Sequence, residues 1–72
     1  MLITVEACNN QTGIEWRFTS KEMGRFIVLT ARELIGDPEG NWSRSASRCA
    51  KDKICAIYGW NRRAIRFNID RA

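Results

Sequence analysis

The sequence predicts a small α+β domain of order β-β-α-α-β: a three-stranded, mainly antiparallel sheet with two helices packed on one face. Three observations predict it. Two short stretches near the start alternate apolar and polar residues. Two stretches in the middle repeat their apolar residues at helical spacing, and a last stretch alternates again. With 72 residues the chain is a single domain spanning 1–72, without internal repeat or linker. A chain this short buries only roughly 60% of its unfolded surface, so its core is thin. Its 44% apolar content and three tryptophans nevertheless argue for folding, since disordered chains are poor in such residues.

The opening LITVEAC places Ile3, Val5 and Ala7 on one side and Thr4 and Glu6 on the other, a half-buried strand. NNQTG follows as a turn closed by Gly13. IEWRF then sets Ile14, Trp16 and Phe18 against Glu15 and Arg17, completing a hairpin with one apolar face. Next, Thr19 with Glu22 reads as a capping box, and Phe18 with Met23 as a hydrophobic staple. The expected helix runs from there to about Ile35, stopped by Gly36 and Pro38. Met23, Phe26, Ile27, Ala31 and Leu34 would form its apolar face, widened by Val28 and Ile35, while Leu29 projects onto its polar side.

The segment SRSASRCAKDK, from Ser43 to Lys53, resembles a disordered basic arm when read as a string. On a helical projection, however, Ala46, Ala50, Ile54 and Ile57 fall together, opposite Arg44, Arg48 and Lys51. A disordered arm has no reason to separate those two sets. The segment is therefore a second amphipathic helix, capped by Ser43 or Ser45 and closed by Gly59. RRAIRFNID then alternates, with Ile65, Phe67 and Ile69 turned inward, as the third strand. The expected core is Ile3, Val5, Ile14, Trp16, Phe18, Ile27, Leu34, Ile54, Ile57, Phe67 and Ile69.

Catalysis is not expected. The chain has no histidine, its carboxylates are scattered, and no serine or cysteine has an evident activating base. Cys8, Cys49 and Cys55 are odd in number and lack CxxC spacing, so they read as reduced, structural thiols rather than zinc ligands. Asp37, Glu39 and Asn41 alternate like calcium ligands, but Arg48 stands where such a loop needs a bidentate glutamate. No metal or cofactor is implied. The absence of a signal-like start or a long apolar run makes a cytoplasmic protein that does not span a membrane the expectation.

Charge is the positive signal. Residues 1–42 carry four basic and six acidic side chains, whereas residues 43–72 carry eight basic and two acidic ones. Arg44, Arg48 and Lys51 would clamp phosphates, with Arg62, Arg63 and Arg66 extending the patch. Trp42 and Trp60 flank the helix as candidates for stacking on unpaired bases. The expected function is thus a small non-enzymatic binding or regulatory protein whose partner is nucleic acid, directly or within a nucleic-acid-handling complex. The alternative is a protein-binding inhibitor or adaptor anchored by Leu29 and Trp42. In size and layout, though in no motif, the chain is similar to small phage- or mobile-element-encoded inhibitors, anti-CRISPR proteins among them, which act by occupying a partner's surface.

Overall fold

The computed structural model describes residues 1–70. Strand β1 (Leu2–Asn10) and strand β2 (Gly13–Thr19) form the expected hairpin, with Val5 opposite Phe18 and Ala7 opposite Trp16. Gly13 enters β2 at φ 129°, a region open to glycine. A Cβ built there would lie 2.6 Å from the Pro38 carbonyl oxygen, which accepts the Ile14 amide at 2.8 Å. The hairpin and the distant Pro38 loop therefore meet backbone to backbone.

The segment expected to be one long helix is instead a turn, a strand and a short helix. Gly24 takes φ 72°, which no helix interior tolerates. The Thr19–Glu22 capping box does not form; Ser20 Oγ accepts the Met23 amide at 3.1 Å and closes a local turn. The β-branched run that follows becomes strand β3 (Ile27–Thr30), antiparallel to β2 with Leu29 opposite Trp16. Period two replaces period 3.6 here, and the faces exchange. Leu29 turns into the core at 7% exposure, while Val28 is 40% and Phe26 55% exposed. Helix α1 (Ala31–Ile35) begins only at Thr30, whose Oγ1 accepts the Glu33 amide at 3.1 Å, and ends at Gly36 with φ 71°.

Helix α2 (Arg44–Tyr58) matches the expectation closely. Ser43 Oγ accepts the Ala46 amide at 3.2 Å, and Gly59, at φ 73°, donates to the Cys55 carbonyl at 2.7 Å. Ala46, Ala50 and Ile54 are fully buried, and two alanines let this helix approach closely. Ile57, placed in the expected core, is instead 59% exposed. It lies in the last turn of α2, where the helical stripe continues but little remains beneath it to bury it.

A single 3₁₀ turn (Arg62–Ala64) leads to strand β4 (Arg66–Asp70), so the last strand begins four residues later than its alternation suggested. Strand β4 pairs with β1 in parallel, Ile3 beside Phe67 and Val5 beside Ile69. The sheet therefore has four strands in the order β3-β2-β1-β4 and is mixed, not three-stranded and mainly antiparallel. Ile3, Val5, Trp16, Phe18, Leu29, Leu34, Ile54 and Ile65 dominate one core between sheet and helices. Ile14, Ile27, Phe67 and Ile69 border it half-buried. Among the described residues no helix covers the other sheet face, which carries Thr4, Glu6, Glu15, Arg17 and Arg66.

Candidate nucleic-acid interface

The basic side chains are positioned by α2 and the 3₁₀ turn. Arg44 and Arg48 are four residues apart and exposed, and Lys51 follows three residues on. At 1.5 Å per residue, these three cations span about 10 Å along the helix. Lys51 is half-buried, its Nζ 5.7 Å from the centre of the Phe67 ring. Its stem thus lies on the core's edge and its ammonium is held at one place.

The chain then turns back. Gly59 ends α2, and Asn61 caps the 3₁₀ turn, its Oδ1 accepting the Arg63 amide at 3.0 Å. This return brings Lys51, Asn61, Arg62 and Arg63 around one shallow depression. The acceptor of the Asn61 amide is occupied, leaving its NH₂ group to donate. Among the described residues one ion pair forms, Arg62 Nε to Asp52 Oδ1 at 3.2 Å, with both side chains about half exposed. Arg44, Arg48, Lys51 and Arg63 have no carboxylate within 4 Å among the described residues.

The two tryptophans part company. Trp42 does not flank the surface freely. Its ring centre lies 5.1 Å from Trp16 and 5.6 Å from Phe67, both edge to face, and 5.9 Å from Phe18. It closes the core at the start of α2, and a base would have to displace those contacts. Trp60 instead lies flat on Tyr58, 4.4 Å between centres and 12° between planes, one residue before Asn61. Both rings are half-buried, so the pair forms a stacked shelf beside the cationic depression. Tyr58 was not picked out from sequence, although Tyr-Gly-Trp after a helix was the available signal.

Arg66 does not join the patch. It alternates with Phe67, which borders the core, and so emerges on the open sheet face in register with Leu2. The anchors of the alternative reading do not reach the surface together either. Leu29 turns from β3 into the core, and Trp42 is packed into the aromatic cluster.

A second depression, about 660 Å³, opens at the other end of the hairpin between β1, β2 and the loop preceding α2. Ile14, Trp16, Trp42, Asn9 and Asn41 line it, and Glu6 is the only ionisable residue in its lining. It has no cationic side chain in its lining. Asp37 is engaged locally, its Oδ1 accepting the Glu39 amide at 3.0 Å in a polar turn. The three cysteines are free thiols, and among the described residues no three metal-ligating side chains cluster. Among them, too, no helix is long and apolar enough to cross a membrane. No family model, curated protein or solved structure matches the chain.

Proposed function

We propose that this protein binds nucleic acid through the face built by α2 and the 3₁₀ turn, alone or as part of a larger nucleic-acid-handling complex. One observation carries the reading: Arg44 and Arg48 share a face of α2 with Lys51, Lys51 meets Arg62 and Arg63 around the depression, and among the described residues one carboxylate, Asp52, pairs with these five cations. Cations left unpaired at this density repel one another and attract polyanions. Arg44 and Arg48 contact successive phosphates along α2. Lys51, Arg62 and Arg63 contact further phosphates around the depression, with the Asn61 amide as an additional donor. Trp60, backed by Tyr58, offers a flat platform for an unpaired base. Because these contacts address backbone and base faces, the expected preference is for strand type rather than for sequence.

Binding to short single- and double-stranded oligonucleotides, followed by fluorescence anisotropy across a salt series, tests the proposal. Five phosphate contacts predict a slope of log K against log salt of about −4.5 on duplex. The double variant Arg44→Ala/Arg48→Ala should flatten it to about −2.5. Quenching of tryptophan emission on single strands should be lost in Trp60→Leu. Absence of binding at low salt, or an unchanged slope in the double variant, overturns the reading.

A further inference from the structure

The sheet ends at β4, and this edge has the sequence of a self-complementary strand. The Arg66 amide donates to the Met1 carbonyl at 2.8 Å, so the amide and carbonyl of Arg66 face β1. Along a strand these groups alternate in direction. The backbone groups of Phe67 and Ile69 therefore point outward, where the sheet order shows no further strand among the described residues. Such an edge is normally blunted by charged side chains, proline or a bulge; in Arg66–Asp70, RFNID, the charges stand only at the two ends and no proline interrupts the strand.

We infer that a second copy of this chain pairs antiparallel along β4, with the two-fold axis passing at Asn68. In that register Phe67 lies opposite the second copy's Ile69, and Ile69 opposite its Phe67. All four outward amides and carbonyls on the two residues then find partners at once, as hydrogen-bonded pairs flanking a non-hydrogen-bonded Asn68 pair. Shifting the axis to position 67 or 69 pairs fewer of these groups within the strand.

Charge selects the same register. On the open face Glu6 stands in register with Arg17 on one side and with position 70, an aspartate, on the other. By register, two acidic positions therefore adjoin in this row with a cationic position at one end only, a pattern that is unfavourable in sheets. Antiparallel pairing about Asn68 brings position 66 of the second copy, an arginine, opposite position 70. The row then reads Arg-Glu-Asp-Arg across the junction, and the symmetric row does the same. On the helix side Phe67 and Ile69, half-buried in one copy, would cover each other. The opposite edge, β3, is four residues long and carries no charged residue, so it has no comparable self-complementarity.

The two-fold axis runs perpendicular to the sheet, so both helical layers lie on the same side of one eight-stranded sheet. The two α2 faces then act as one surface. This inference stands apart from nucleic-acid binding, and either can fail alone.

Sedimentation velocity across about a hundredfold range of concentration tests it, since an interface this small implies a weak, micromolar-range dimer. The wild-type chain should pass from monomer to dimer. Asn68→Lys, which opposes two like charges at the axis of an exposed position, should weaken the dimer at least tenfold while circular dichroism stays native. Arg66→Asp should do the same, and Arg66→Asp/Asp70→Arg should restore it. If Asn68→Lys fails to fold, the charge-exchange pair decides. A wild type that stays monomeric, a dimer indifferent to both single variants, or a double variant that stays monomeric overturns the inference.

Discussion

Residues 28 and 29 discriminate between a strand and a helix in the middle of this chain more sharply than any other pair. Strand β3 buries Leu29 against the core beside Trp16 and leaves Val28 at 40% exposure. A helix over the same residues would reverse them, with Val28 on the apolar side and Leu29 in solvent. Leu29→Ala deletes most of a side chain that is 93% buried. Large-to-small substitutions of buried leucine cost about 2–5 kcal/mol, and an edge strand, which can partly close the gap, places this one at about 2–3 kcal/mol. Domains this size have only about 4–10 kcal/mol of total stability. The loss should therefore lower the melting temperature by about 10–20 °C and the urea midpoint by about 2 M. Val28→Ala should cost about 0.5 kcal/mol, through β-propensity and partial burial. Urea denaturation of both variants, followed by far-ultraviolet circular dichroism, measures the difference. If Val28→Ala costs more than Leu29→Ala, or if neither exceeds about 0.5 kcal/mol, the strand assignment and the core built on it are wrong.

Further outcomes follow from the loops and the basic face. Gly13→Ala should destabilise by at least about 2 kcal/mol, because a Cβ there combines a left-handed φ with a backbone collision at the Pro38 carbonyl; thermal melts provide the check. Ser43→Ala should cost about 1 kcal/mol by removing the acceptor for the Ala46 amide at the start of α2, measurable in the same melts. Asp52→Asn should leave stability within about 0.5 kcal/mol, since its ion pair with Arg62 is half exposed. It should also tighten oligonucleotide binding severalfold by freeing Arg62. A weakened affinity in that variant would mean that Asp52 orients Arg62 for its ligand rather than competing with it.

The legible parts of the fold are those whose cause is local. The β1–β2 hairpin follows from alternation across a glycine-closed turn. Helix α2 follows from an apolar stripe between Ser43 and Gly59, and that stripe alone separated Arg44 and Arg48 from the core. The 19–35 segment was not legible, because its local signals conflict. Apolar residues there satisfy a helical period, while the run Ile-Val-Leu-Thr favours a strand and Gly24 tolerates a turn. Pairing with β2 decided between them, because one additional strand satisfies the backbone of β3 and covers Trp16 with Leu29. The interface shows the same division. The cations on α2 were readable from helical spacing. That Arg66 leaves the patch and that Tyr58 supports Trp60 depend on where the chain returns after Gly59, and that Trp42 belongs to the core depends on the β2 aromatics it packs against.

Sequence by itself determined the class of domain, the hairpin, the position of α2 and the concentration of positive charge after residue 42. These rest on periodicity and capping within a few residues, which the chain carries wherever it lies. Tertiary structure alone decided the fourth strand, the parallel seating of β4 beside β1, the exchange of Val28 and Leu29, and the membership of the basic face. Each depends on backbone and side-chain partners far away in sequence, and only the assembled sheet brings those partners within reach.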